Sequence, residues 1–347
     1  MKTVSPEAFR YHFDDPQLYG FEPREQSGDT PRSLPRALGQ HIRISERVLP
    51  KIYSLLELIA ASLGVDAQFS GFVYSSAETN AQCIREPDGG FLIFISSELV
   101  KLLTLQELRF VIGHEFAHAR FGHHEYPPVL PDQLDERRLE LSRAAEITAD
   151  RIGAMSCETM EHAIRAIVKT ASGLDDMHLE FDPIEYLRQG SDLRNEPDAA
   201  VAWSTHPPLV LRARAIARFE SVFASAKLGD RFEDRLLELD HEIFDEIDAV
   251  THGETGSQLA QDAAFWEAAS LACSDGELDT DEQALLTGIF GVDRVTALKD
   301  LLRDESRQSA VDLLFGRAKA KREAISVATL ATQQRFDALT ESYKKFS

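Results

Sequence analysis

The sequence predicts an α+β fold: a mostly helical core with a small β-sheet, followed by an all-α C-terminal domain. Three observations carry that reading. Two short apolar runs, Phe69–Tyr74 and Phe91–Ser96, are bounded by turn residues, as strands are. The segments around them repeat apolar residues at helical spacing. Beyond residue 225 the composition changes to acidic, helix-periodic sequence, with 17 Asp or Glu against 2 Lys or Arg between positions 230 and 282.

Taken in order, residues 1–44 read as an N-terminal extension. Pro6, Pro16, Pro23, Pro31 and Pro35 recur among polar residues, which predicts an extended or loosely packed arm. Residues 45–224 read as the chemistry-bearing domain. Within it, Val48, Ile52, Leu55, Leu56, Ile59 and Leu63 follow a helical period. The two strands come next, separated by the turn Pro87-Asp88-Gly89-Gly90. A helix over 105–121 is the best punctuated in the chain. Thr104 and Glu107 have capping-box spacing, and Gly122 is placed to stop it. Pro127, Pro128 and Pro131 predict a loop, and a second helix is expected over 134–157. Helix is expected again over 161–173, Pro197 to Ser204 reads as connecting chain, and Pro207-Pro208 opens another helix through about Phe219. Residues 225–347 read as a separate acidic helical domain, with a break over 252–257.

The chain of 347 residues is long enough for two cores without disulfide support. Cys83, Cys157 and Cys273 are odd in number and far apart, which points to free thiols in a reducing compartment. The N-terminus lacks the apolar stretch of a signal peptide, and no run of apolar residues is long enough to span a bilayer. The formal charge of −21 disfavours nucleic acid and anionic membrane surfaces as partners. A cytoplasmic location is the expectation.

The sharpest motif is His114-Glu115-Phe116-Ala117-His118. Histidines four residues apart on a helix lie on one face and can grip one metal ion. Glu115 beside them can act as general base toward a water on that ion. Two residues compete for the third ligand position. His124 falls where the longer HExxHxxGxxH pattern puts its third histidine. That pattern needs a glycine at the position Phe121 occupies, and Gly122 comes one place late. Glu146, with Asp150 four residues on, is the better candidate: the Asp can accept a hydrogen bond from a ligand histidine's second nitrogen. Ala145, Ala149 and Gly153 leave room for two helices to approach. His123 and His124 are then expected to be surface or loop histidines. Two imidazoles, one carboxylate and an open position predict one Zn2+ per chain.

These residues resemble the HtpX and CAAX-prenyl-protease family of gluzincin zinc metallopeptidases over roughly residues 45–220. Asn80-Ala81 with the strand Phe91–Ser96 resembles that family's substrate-side edge strand. The 105–118 helix resembles its catalytic helix, and Glu146 through Asp150 its ExxxD segment. Thr205-His206-Pro207-Pro208 with Arg212 resembles its late His-Pro element. The resemblance implies a zincin-type core, with His114, His118 and Glu146 as ligands and Glu115 as base. It also implies Asp150 and Arg212 as supporting residues, His206 as a catalytic group stabilising an oxyanion, and Asn80 and Ala81 on the strand that receives substrate. Many members carry transmembrane helices, and this chain has no such segment, so membrane-embedded substrates do not carry over.

In the C-terminal half, residues 263–279 followed by Glu282 and Ile289-Phe290-Gly291 resemble the TerB-like tellurite-resistance module. Asp275, Glu277 and Asp279 alternate as calcium ligands do, but Thr280 and Leu286 replace the Gly and Glu that an EF-hand loop needs. Asp275 and Asp281 are therefore expected to serve as turn and cap residues.

The expected function is a zinc endopeptidase acting on protein or peptide substrates, with a basic protein as a candidate partner of the acidic helices. The rival reading is a catalytically silent peptidase fold serving as a scaffold or regulatory binding protein. The intact Glu115 counts against it.

Overall fold

The computed structural model describes residues 5–22, 34–127, 136–195, 204–226, 231–251, 253–274, 277–303, 306–326 and 328–346. The chain divides into two compact units, Met1–Ile247 and Asp248–Ser347. In chain order the first unit holds α1 (Leu34–Gln40), β1 (Ile42–Arg43), α2 (Pro50–Ser62), β2 (Phe69–Tyr74), β3 (Ala81–Arg85), β4 (Phe91–Ser96), α3 (Ser97–Leu102) and α4 (Leu105–Arg120). It continues with α5 (Glu136–Met155), α6 (Met160–Ser172), α7 (Pro183–Asn195), α8 (Leu209–Ala226) and most of α9 (Phe232–Thr251). The helical α+β architecture with one small sheet is the fold class expected from the sequence.

The sheet has the order β1-β2-β4-β3, with β2 parallel to β4 and the other pairs antiparallel. Both strands expected from their apolar runs form over those residues. β4 is buried along its whole length because it pairs on both sides, which is why it reads as unbroken apolar sequence. The expectation that Phe91–Ser96 is the substrate-side edge needs correcting. β3 takes the edge, with Ala81 opposite Ile95 and Asn80 just before it.

Helix α4 starts at a complete capping box. The Thr104 amide donates to Glu107 Oε2 at 2.8 Å, and the Glu107 amide donates to Thr104 Oγ1 at 3.3 Å. Glu107 is itself pinned by the buried Lys169 ammonium of α6 at 2.8 Å. Helices α4 and α5 cross closely where both lack side chains. A Cβ on Gly113 would meet Gly153 Cα at 3.0 Å, and one on Gly153 would meet the Phe110 carbonyl at 2.7 Å. This crossing brings Glu146 within reach of the α4 histidines.

The N-terminal residues depart from expectation. Far from a loose arm, residues 5–22 bury Phe9, Tyr11, Phe13, Asp14 and Tyr19. Phe9 meets Phe219, Phe223 and Phe232 edge-on, and Phe13 stacks on Phe244 with centroids 4.0 Å apart. Tyr11 donates to the Asp240 carbonyl at 3.2 Å, and the His12 amide to Asp240 Oδ2 at 2.8 Å. Periodicity could not show this, because the contacts join distant positions. The same contacts place the start of α9 in the first unit, so the division falls at 247/248 rather than near the composition change at 225.

The second unit comprises the end of α9, α10 (Gly253–Ala272), α11 (Thr280–Phe290), α12 (Val292–Leu302), α13 (Arg307–Ser326) and α14 (Leu330–Phe346). Phe265, Ala269, Cys273, Leu286, Leu298, Leu314 and Tyr343 form its core. Helix α10 begins at Gly253, well inside the expected break. The cap of α11 is Asp279, paired with Glu282 in a capping box, not Asp281; the residues Asp275-Gly276 lie outside the described residues. Among the described residues no helix is long and apolar enough to cross a membrane.

Candidate metal centre

Successive turns of α4 present His114 and His118 on one face, and their Nε2 atoms stand 3.1 Å apart. Glu146 of α5 meets both: Oε2 lies 3.4 Å from His114 Nε2, and Oε1 lies 3.4 Å from His118 Nε2. Among the described residues these three form the group of side chains arranged to hold a metal ion, their donor atoms all within 4.8 Å of one another.

The donor set asks for a cation. His114 Nδ1 donates to Asp150 Oδ1 at 3.1 Å, so in the neutral ring its Nε2 offers a lone pair. The buried Glu146 Oε2 has no hydrogen bond. Donor separations of 3.1–3.4 Å match a tetrahedral ion bound at about 2.0–2.1 Å, for which two nitrogens stand about 3.3 Å apart.

The surrounding charges are matched in pairs. Burial alone would lower the pKa of His114, but the Glu146 and Asp150 carboxylates outweigh it and raise it to about 10. Burial raises Glu146, yet His114 and Arg212 hold it well below the usual carboxylate range. Burial likewise raises Asp150, which Arg212 and His114 bring down. His118 is lowered by burial, which outweighs its contacts with Glu146.

Glu115 is buried beside the three. Burial pushes its carboxyl up, partly opposed by His114 and His118. It lines a cavity of about 220 Å³ with Asn80, Ala81, Val111, Ile167, His206 and Arg212. The edge strand and the metal-site residues therefore share one cleft. His206 reaches it from the segment before α8, with Nε2 3.4 Å from Glu146 Oε1 and an exposed ring. The Thr205 hydroxyl lies 2.9 Å from His206 Nδ1, and the buried Arg143 of α5 donates to the Ser204 carbonyl at 3.1 Å, anchoring the segment.

Among the described residues His124 is not part of the three-residue group. Its ring lies 5.8 Å from that of Phe91, and its pKa is lowered to about 4, by burial first and then by His118 and His123. His123 departs from the expected surface position: it is buried, with Nδ1 2.7 Å from His118 Nδ1. Gly122, in the left-handed region at φ 69°, turns the chain so that His123 folds back under α4. The one signal available in sequence was that glycine, one place later than the HExxHxxGxxH pattern requires.

Residues 49–130 and 128–220 match the family profile Peptidase family M48. This part of the chain is similar to peptidase family M48, which supports a metal-dependent peptidase. The matched stretch runs from α2 to α8 and contains His114, His118 and Glu146. The chain is 23% identical over 205 residues to the plastoglobule-localized metallopeptidase 48 of Arabidopsis thaliana chloroplasts, covering 52% of this chain and 59% of that relative. It thus spans about three fifths of the relative's length. No solved structure matches.

Proposed function

We propose that the chain is a zinc-dependent endopeptidase. The observation that carries this is the convergence of His114 Nε2, His118 Nε2 and the Glu146 carboxylate, of which His114 and Glu146 line one cleft with Glu115 and the sheet edge. Two imidazoles, a carboxylate and an open position are the donor set of a catalytic zinc site. Bound there, zinc would polarise the scissile carbonyl and lower the pKa of a coordinated water.

The chain's own residues supply the rest. Glu115, its carboxyl raised by burial, takes the proton from the attacking water and delivers it to the leaving amine. His206, anchored by Thr205 and Arg143, donates a hydrogen bond to the oxygen on which charge develops. An extended peptide adds to the open side of β3, near Asn80 and Ala81, and main-chain hydrogen bonds hold it across the cleft. We assign the helical second unit to recognition of substrate or of a basic partner rather than to chemistry. Among the described residues Cys83, Cys157 and Cys273 are in no disulfide, which suits a reducing compartment such as the cytoplasm.

The test is cleavage of a quenched peptide by the full-length protein. We expect cleavage with zinc, loss with a chelator and recovery when zinc is restored. Zinc uptake without cleavage of any unstructured protein would instead favour the silent scaffold.

A further inference from the structure

His118 has two ring nitrogens, and both are engaged. Nε2 faces Glu146 and His114 in the metal group. Nδ1 faces His123 Nδ1 at 2.7 Å, and on the far side of that second ring His123 Nε2 meets Asp14 Oδ2 at 2.9 Å. Asp14 is fully buried. The Tyr126 hydroxyl donates to its other oxygen, and Arg10 lies 3.4 Å from Oδ2. The carboxylate therefore cannot swing away from His123.

With His118 Nε2 given to a metal, these distances point to one set of tautomers. A neutral His118 that offers the Nε2 lone pair carries its one proton on Nδ1. At 2.7 Å that proton needs an acceptor, so His123 Nδ1 is bare and His123 carries its proton on Nε2. That N–H donates to Asp14. The opposite tautomer of His123 would set two N–H groups face to face at one end and a lone pair against a carboxylate at the other.

Building on the metal-site reading above, we propose that Asp14 and His123 form a carboxylate–imidazole relay that fixes the tautomer and orientation of His118 for metal binding. The N-terminal segment 5–22 is then a working part of the metal centre. The two histidines of the centre are backed in different ways. His114 rests directly on Asp150 of α5, while His118 reaches its carboxylate through a second imidazole. Asp14 and His123 are positioning residues: neither lies in the cleft that would receive substrate.

The test reads metal affinity rather than turnover. Zinc is titrated into the metal-free full-length protein against a competing chelator. Thermal unfolding of each metal-free variant checks that it is folded. His123→Leu, which removes both hydrogen bonds, should weaken zinc binding about 10–100-fold. Asp14→Asn, which keeps an acceptor but loses the charge, should weaken it about 10-fold. Because the two residues act in series, the double variant should be no weaker than His123→Leu alone. His123→Gln should recover most of the loss, since its amide oxygen can accept from His118 and its NH2 can donate to Asp14.

Folded variants that bind zinc as tightly as the parent would overturn the relay while leaving the metal centre standing. So would a His123→Gln protein as weak as His123→Leu, which would make His123 a packing residue. A parent protein that takes up no zinc would overturn the metal-site reading itself.

Discussion

The Asp150 carboxylate grips the Arg212 guanidinium at two points, Oδ2 accepting from Nε at 2.7 Å and Oδ1 accepting from Nη2 at 2.6 Å. Arg212 Nη1 also lies 3.4 Å from Glu146 Oε2. The buried Arg212 cation therefore faces both carboxylates, as His114 does, and holds in place the Asp150 that backs His114. A planar fork does this and a point charge does not. Arg212→Lys should lower zinc affinity by about tenfold, as the loss of such a backing contact does. Arg212→Ala takes a buried cation away from two buried carboxylates, leaving His114 alone to face both, and should lower metal-free stability by about 3–5 kcal/mol. Chelator competition and denaturant unfolding check the pair, and a lysine variant equal to the parent in both would show that the grip is idle.

Glu115→Gln should bind zinc as the parent does and lose hydrolysis by about 100-fold or more. The amide keeps the shape but cannot take the proton, and Glu115 stands outside the three-residue donor group. Metal analysis together with peptide cleavage decides it, and cleavage at the parent's rate would refute the assigned base.

Glu146→Ala should lower zinc content sharply, whereas His124→Ala should leave it unchanged. Glu146 lies 3.4 Å from both imidazole nitrogens, whereas the His124 ring packs near Phe91. Metal analysis of the two purified proteins checks this, and zinc lost from the His124 variant alone would reverse the assignment.

Zinc uptake should release about one proton near neutral pH, because ligands must be deprotonated to bind. The pKa of His114 in the metal-free protein is raised to about 10, so the ring is charged at neutrality. The sign follows from that rise. Its contribution to metal-free stability is full below the ordinary histidine range and is lost as pH climbs toward about 10. Zinc, which competes with that proton, should bind about tenfold more tightly for each unit of pH rise through neutrality. Titration in weak buffer measures the proton, and uptake without release would show that His114 is neutral before zinc arrives.

A fragment ending at residue 224 should be poorly folded, and one ending at residue 251 should be stable. The shorter one strips Phe244 from Phe13 and Asp240 from Tyr11, His12 and Arg151. Burial of each such aromatic or aliphatic side chain contributes about 1.5–3 kcal/mol. It should also bind zinc more weakly, since the segment it loosens carries Asp14. Thermal unfolding and zinc titration of both fragments provide the check, and equal stability would put α9 outside the first core.

Whatever depends on near neighbours along the chain is legible in the amino-acid order. Helical periodicity put His114 and His118 on one face, Thr104 and Glu107 announced the start of α4, and apolar runs marked β2 and β4. These signals are local because a helix turn and a strand pleat repeat over a few residues. Tertiary structure alone decided which strand is the edge, that Gly122 turns His123 toward His118, and that the N-terminal segment belongs to the core. The Asp14–His123 contact joins positions 109 apart, and Tyr11 meets Asp240 across 229. No periodicity spans such distances. Buried polar groups find partners only once the packed fold has excluded water from around them, and the geometry of that packing selects which ones meet.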